Sequence, residues 1–186
     1  YDFGKNIIPT MLNDGKKMIA HTFEGYWKDV GTISSYWEAN MDLLGESPEF
    51  DLRDRNWRIY SRNYSDPPQS IGKYARISNS LITEGCNIEG IVENSVLASG
   101  VKVARGAYIK DSIIMKNVTV GEGTTINYSI IDSDTAIGAG CIIGRTKGCC
   151  AHSSQENESK VETRITTSII THYNQLWLYF LYNYFI

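Results

Sequence analysis

Residues 94–131, NSVLASGVKVARGAYIKDSIIMKNVTVGEGTTINYSII, contain the pattern that decides the fold. A serine followed by two aliphatic residues recurs at regular offsets here and just before this stretch. The four copies are Asn79-Ser80-Leu81-Ile82, Asn94-Ser95-Val96-Leu97, Asp111-Ser112-Ile113-Ile114 and Tyr128-Ser129-Ile130-Ile131, at successive offsets of 15, 17 and 17 residues. A unit of this length is shorter than the common helical repeats.

Large aliphatic residues recur within each unit at spacings of six, six and five residues. They are Leu97, Val103, Ile109, Ile114, Val120, Ile126, Ile131, Ile137 and Ile143. The residue two places before each one is small: Ser95, Val101, Ala107, Ser112, Val118, Thr124, Ser129, Thr135 and Cys141. Because residues two apart on a strand point to the same face, each side of a three-sided coil would place one large and one small side chain inward. A narrow prism requires that combination.

This pattern resembles the hexapeptide-repeat family of left-handed parallel β-helices over residues 75–144, about four coils. Glycines such as Gly121 and Gly138 suit its corners. A β-sandwich of short strands is the alternative, but it would show turn signals every 8–12 residues. The inward serines and threonines, and the inward Cys86 and Cys141, are therefore expected to be structural.

Fold alone does not give the function, since many left-handed β-helices resemble acyltransferases that use a histidine between coils as general base. Residues 71–144 contain no histidine; the three are His21, His152 and His172. An acyltransferase is thus disfavoured. The expected role of this segment is assembly, as a stiff rod that packs against another domain and other subunits.

The sequence before the repeat predicts the edge of an α/β domain over residues 1–45. Residues 3–13 predict a short helix and residues 17–23 a strand. Residues 46–70, with three of the four prolines, predict a linker into a β-helix over residues 71–144.

A second helix is predicted to begin at Thr32 or Ser34 and to be stopped by Gly45. Ser35 and Glu38 have the spacing of a capping box. The predicted apolar face consists of Trp37, Met41 and Leu44.

The loop of residues 26–32, between the predicted strand and this helix, carries the candidate chemistry. Loops at the ends of strands in α/β sheets often bind ligands. There Asp29 could hold a divalent cation, and Trp27 could offer a flat face to a sugar ring. From the residues alone, a turn or cap is an equal alternative for Asp29, and packing is the alternative for Trp27.

Several runs resemble the bacterial glucose-1-phosphate adenylyltransferases, also called ADP-glucose pyrophosphorylases. They are Asp2-Phe3-Gly4-Lys5-Asn6-Ile7-Ile8-Pro9, Glu24-Gly25-Tyr26-Trp27-Lys28-Asp29-Val30-Gly31-Thr32-Ile33 and Trp37-Glu38-Ala39-Asn40-Met41-Asp42-Leu43-Leu44, followed by Asp54-Arg55-Asn56-Trp57. The resemblance covers residues 1–144 and favours this family over nucleotidyltransferases that use UTP, GTP or dTTP. It implies that ATP and glucose 1-phosphate are converted to ADP-glucose and pyrophosphate for glycogen biosynthesis.

The resemblance also implies roles for single residues. The aspartate matching Asp29 holds Mg²⁺ in the family, with a second aspartate from further upstream. Asp2, Phe3 and Trp27 match positions that line the glucose 1-phosphate pocket; helix initiation and core packing are the alternatives for Asp2 and Phe3. The family is commonly allosteric and tetrameric, which implies a homo-oligomer or an assembly with a related subunit. A non-catalytic regulatory or assembly subunit is the alternative function, and the intact Asp29 argues against it.

The composition of the chain excludes several other classes of protein. With 18 Lys and Arg against 21 Asp and Glu, the chain of 186 residues is neither a basic nucleic-acid arm nor a disordered tail. Four cysteines without a CxxC pair predict a reducing, cytoplasmic setting. The uncharged stretch 165–186 carries polar side chains that would be costly in hydrocarbon, so no membrane span is expected.

The two ends of the chain depart from the repeat and from the family. Residues 145–186 lack the large-small pattern and end in an aromatic run, and they are interpreted as a frameshifted or disordered tail. A helix that caps the end of the prism is the alternative. Residue 1 is Tyr and no signal peptide follows, so the chain is expected to begin inside a larger protein, with the nucleotide-binding half upstream.

The isolated chain is accordingly predicted to make no ADP-glucose from ATP and glucose 1-phosphate in the presence of Mg²⁺. Chromatography of the nucleotide products would measure this directly. Turnover above that of a heat-inactivated sample would show that the 186 residues suffice.

Overall fold

The carboxyl-terminal part of the described chain is a parallel β-solenoid with three-sided coils. A computed structural model describes residues 1–56 and 65–144. The predicted tail 145–186, Trp57 and part of the predicted linker lie outside these residues. Four complete coils and two strands of a fifth form the solenoid, which confirms the fold expected from the repeat.

Three parallel sheets make the sides of this solenoid. The first contains β1 (Ser70–Ile71), β4 (Asn87–Ile88), β7 (Lys102–Val103), β10 (Thr119–Val120) and β13 (Ala136–Ile137). The second contains β2 (Arg76–Ser78), β5 (Ile91–Glu93), β8 (Tyr108–Lys110), β11 (Thr125–Asn127) and β14 (Ile142–Ile143). The third contains β3 (Leu81–Ile82), β6 (Val96–Leu97), β9 (Ile113–Ile114) and β12 (Ile130–Ile131). Paired strands are three apart in sequence, so each coil visits every side once.

The core of the solenoid follows the predicted large-small alternation. All nine large aliphatic residues of the repeat are buried, with exposed fractions between 0% and 7%. Their small partners from Ser95 to Thr124 are buried as well, whereas Ser129, Thr135 and Cys141 in the last coils are half-buried. Cys86 is a free, buried thiol whose pKa is raised by burial, as its structural interpretation requires.

One coil is two residues shorter than the others. Asn87 pairs with Lys102 at an offset of 15 residues, whereas Lys102 pairs with Thr119 at an offset of 17. The missing residues lie at the corner that contains Gly90. A Cβ atom on Gly90 would lie 2.5 Å from the carbonyl oxygen of Ala107, so only glycine fits the shortened corner.

Another corner of the solenoid is built from residues with left-handed backbone conformation. Asn79, Asn94, Asp111 and Tyr128 occupy equivalent positions with φ between 42° and 48°. The Asn79 side chain donates to Asn94 Oδ1 at 2.7 Å, and the Asn94 side chain donates to Asp111 Oδ1 at 2.5 Å. Asn and Asp tolerate this conformation better than other residues with a side chain, and Tyr128 departs from that preference.

The first 56 residues contain helices and no strand. A π-helical turn, Phe3–Ile7, leads into α1 (Ile8–Asn13), as the predicted helix over residues 3–13 requires. The strand predicted over residues 17–23 is wrong, because the chain there is exposed and has no neighbouring strand to bond with within the described residues. A lone strand cannot satisfy its backbone groups by pairing.

The second helix, α2 (Ile33–Met41), begins as predicted after Thr32 but differs in detail. Its capping box joins Thr32 to Ser35, so the predicted pairing of Ser35 with Glu38 is wrong. The α-helix ends at Met41, and shorter turns continue through Leu43 and Leu44. The α-helix therefore ends three residues before Leu44, the last residue that the predicted stop at Gly45 allows.

Substituting Gly90 with alanine is expected to lower the free energy of unfolding by about 2 kcal/mol or more, because the methyl group would meet backbone oxygens. Gly138→Ala is the matched control, since a Cβ there would have Cys141 Sγ at 3.9 Å as its nearest neighbour. The control should change stability by less than about 0.5 kcal/mol. Urea denaturation followed by circular dichroism measures both, and equal effects would contradict the shortened-corner account.

Candidate functional site

The segment before α2 alternates between half-buried and exposed residues. Tyr26 and Lys28 are half-buried, whereas Trp27 and Asp29 are exposed, Trp27 to 75%. This alternation is the pattern that a locally extended chain gives, because its successive side chains point in opposite directions. Trp27 and Asp29 therefore share the outward edge, and Tyr26 and Lys28 share the inward one.

Asp42, at the carboxyl end of α2, binds both residues of the inward edge. Its Oδ2 accepts a hydrogen bond from Tyr26 Oη at 2.9 Å and another from Lys28 Nζ at 2.8 Å. Lys28 Nζ also lies 3.4 Å from Glu38 Oε2, and the Tyr26 ring stacks on Phe50 at 5.8 Å between centroids. The loop is thus fixed to the helix by the shared Asp42 oxygen, with Glu38 as a second partner of Lys28.

The electrostatics of this contact agree with its geometry. Burial, followed by the hydrogen bond to Asp42, raises the pKa of the Tyr26 phenol. The hydrogen bond to Asp42 raises the pKa of Lys28, so this amine stays protonated. Both groups therefore keep the protons that they donate to Asp42 at neutral pH.

Asp29 is available for a ligand. Within residues 1–56 and 65–144, no hydrogen bond or ion pair engages its carboxylate. The same residues contain no group of three or more His, Cys, Asp or Glu side chains that could hold a metal ion. Asp29 can thus contribute one ligand to a metal ion and does not form a complete site with the other described residues.

Asp2 and Phe3 lie at the start of the first helical turn. Asp2 Oδ1 accepts a hydrogen bond from the Lys5 backbone at 2.7 Å and so caps the turn. Phe3 is 73% exposed and does not pack into a core. Among the described residues, no hydrogen bond or ring contact joins this pair to Trp27 or Asp29, and their place in one pocket stays a prediction.

Helix α2 contacts the solenoid through Trp37. Its Nε1 donates to the carbonyl oxygen of Asp111 at 2.8 Å, and its ring lies 4.6 Å from the Tyr128 ring at 57°. The sequence pattern places Trp37 only on an apolar helix face and indicates neither this contact nor the role of Asp42. The available signal was Tyr128 itself, the only aromatic residue among the four repeated corner positions.

The part of the chain that the structure describes contains no helix that is long and apolar enough to cross a bilayer.

Two family models match the chain. The one described as "GlmU-like, C-terminal hexapeptide" matches residues 68–171, and the one described as "Nucleotidyl transferase" matches residues 1–46. These matches agree with the expected order of a short nucleotidyltransferase segment followed by hexapeptide repeats.

Curated relatives with the name glucose-1-phosphate adenylyltransferase are similar to the chain in sequence, as the resemblance indicated. Those of Clostridium perfringens, Clostridium botulinum and Geobacillus stearothermophilus are 63%, 60% and 57% identical over 110 residues. The aligned segment is 59% of this chain and 28% of each relative. The chain thus spans less than a third of the relatives that it matches.

Asp42→Asn is expected to lower the pKa of Tyr26 toward its ordinary value of 10.0, because the amide carries no negative charge. Phenolate absorbance during an alkaline titration measures this, and a Tyr26→Phe chain identifies the Tyr26 contribution. Asp14→Asn, on an exposed residue after α1, is the control and should leave the titration unchanged. An unchanged curve for Asp42→Asn would contradict the shared-carboxylate contact.

Proposed function

The chain belongs to the GlmU-like C-terminal hexapeptide family, and from this premise we propose that it acts as part of a glucose-1-phosphate adenylyltransferase. One observation carries the proposal: the relatives with that name are 56–63% identical to the chain over 110 residues. The structure supports it with a loop whose outward edge bears an unengaged carboxylate beside an exposed indole.

The proposed reaction joins ATP and glucose 1-phosphate. A phosphate oxygen of the sugar phosphate attacks the α-phosphorus of ATP, the bond to the β-phosphate oxygen breaks, and pyrophosphate leaves as ADP-glucose forms. Such a transfer needs little covalent chemistry from the protein. Positioning of the two substrates and neutralisation of phosphate charge supply most of the acceleration.

Asp29 is the proposed ligand of a divalent cation, and Mg²⁺ is the proposed metal. Mg²⁺ keeps several waters and binds through one or two carboxylates together with substrate phosphates, so a single unengaged carboxylate fits as one of its ligands. Nucleotidyl transferases commonly use divalent ions, which neutralise developing phosphate charge when bound. The chain's own contribution is the position of Asp29, which the Lys28–Asp42 ion pair restrains from the opposite edge.

Trp27, Asp2 and Phe3 are the proposed contacts to glucose 1-phosphate. An exposed indole offers a flat apolar face with a polar edge, which suits one face of a sugar ring. The Asp2 carboxylate, already fixed as a helix cap, can accept a hydrogen bond from a sugar hydroxyl through its second oxygen. Phe3 would add apolar contact.

The solenoid is proposed to support the catalytic part and to assemble subunits, as a homo-oligomer or with a related chain. Residues 71–144 contain no histidine, so a histidine-dependent acyl transfer on these coils has no general base of its own. A cytoplasmic setting stays a prediction from the cysteine pattern.

A chimaera tests the proposed function. The part of the Clostridium botulinum relative that corresponds to residues 1–144 of this chain is replaced by those residues, and ADP-glucose formation is measured with saturating Mg²⁺. The chimaera is expected to be active. In the same background, Asp29→Asn is expected to lower kcat by about 100-fold or more, since metal and phosphate positioning are lost.

Asp14→Asn is the matched control in the chimaera and should retain full activity, because this exposed residue lies outside the loop. A folded but inactive chimaera would contradict the proposed function. Full activity of the Asp29→Asn chimaera would contradict the metal role alone.

A further inference from the structure

Tyr128 adopts a backbone conformation that its side chain disfavours. Its φ is 46°, and the equivalent corners of the preceding coils hold Asn79, Asn94 and Asp111. A bulky residue in this region is strained and persists where surrounding contacts compensate. The tyrosine ring makes a contact beyond the solenoid.

That contact is Trp37 of α2. The indole ring lies 4.6 Å from the Tyr128 ring, while its Nε1 donates to the Asp111 carbonyl one coil earlier. Two successive corners of the solenoid thus hold one side chain of the helix. Ring contact and hydrogen bond together fix both the position and the rotation of α2 on the solenoid.

Asp42 extends this restraint to the loop. It caps the carboxyl end of α2, five residues after Trp37, and its Oδ2 holds both Tyr26 and Lys28. An α-helix of this length transmits position with little bending, so a helix fixed at Trp37 also fixes Asp42. A continuous series of contacts therefore joins the solenoid corner to the segment that bears Asp29.

We infer that Tyr128 is a positioning residue: its contact with Trp37 seats α2 on the solenoid, and α2 in turn holds the Trp27–Asp29 edge in place. The consequence for catalysis rests on the proposed function of Asp29. The ordering of the loop is measurable in the chain itself, without any turnover.

Tyr128→Asn is the decisive variant, since it separates the solenoid from the contact. Asparagine is favoured at this φ and could donate to Asp111, which continues the side-chain ladder of the earlier corners. The solenoid should therefore keep or raise its stability. Removal of the ring should nevertheless release α2 and the loop.

Labelling of Lys28 by limiting acetic anhydride, read by mass spectrometry on the 186-residue chain, reports the release. In the parent chain Lys28 is paired with Asp42 and should react slowly relative to the exposed Lys17. In Tyr128→Asn its relative rate should rise about three-fold or more, as in an Asp42→Asn chain. Tyr128→Phe retains a ring against Trp37 and should restore the parent rate.

Tyr108→Asn is the matched control. This solenoid tyrosine donates to Glu93 at 2.7 Å, and among the described residues none of its hydrogen bonds or ring contacts involves α2, so Lys28 should react as in the parent. An unchanged Lys28 rate in a folded Tyr128→Asn chain would overturn the inference. Loss of the circular dichroism signal of the solenoid in the Tyr128→Asn chain would contradict the strain argument. The labelling rate of Lys28 in a Trp37→Leu chain would then decide the positioning role.

These outcomes are separable from those of the proposed function. Loss of activity in the Asp29→Asn chimaera tests the metal role and is independent of Lys28 labelling. A labelling result as expected, combined with an inactive chimaera, would leave the positioning contact standing and remove the proposed reaction.

Discussion

The interior of the solenoid accepts one large and one small side chain from each side of every coil, and the rest of the structure depends on this limit. Parallel pairing keeps successive coils in register, so a change of length in one coil must be absorbed at a corner. Gly90 absorbs the one shortened coil because no Cβ fits beside the Ala107 carbonyl. The Arg105 guanidinium lies 4.8 Å from the centre of the Tyr74 ring. This cation–π contact joins the coils on either side of the shortened corner.

The solenoid core was predictable because its constraint is local and periodic. Nine large positions and their small partners follow from spacing alone, and all nine large residues are buried. The strand expected over residues 17–23 failed because a strand depends on partners that a local pattern does not specify. The end of α2 was misplaced because the chain beyond Met41 continues in tighter hydrogen-bonded turns at Leu43 and Leu44, which the sequence pattern does not distinguish from an α-helix.

The candidate site was predictable only in part. Its loop and the outward residues Trp27 and Asp29 follow from the motif and from alternation in an extended chain. The hydrogen bonds from Lys28 and Tyr26 to Asp42 join residues 14 and 16 positions apart. The hydrogen bond from Trp37 to Asp111 joins residues 74 positions apart. Contacts of that range carry no periodic signal. What the sequence did contain was an anomaly, a tyrosine at a corner otherwise held by Asn and Asp, and such breaks in a repeat mark places where another element contacts it.

The solenoid is a platform whose third and fourth coils, through Asp111 and Tyr128, fix the helix that follows the candidate loop. Nuclear Overhauser effects between the indole protons of Trp37 and the ring protons of Tyr128, in the full 186-residue chain, test this claim most directly. Strong cross-peaks are expected, together with slow solvent exchange of the Trp37 indole N–H that is bonded to Asp111. A folded chain with a rapidly exchanging indole N–H and no cross-peak between the two rings would contradict it.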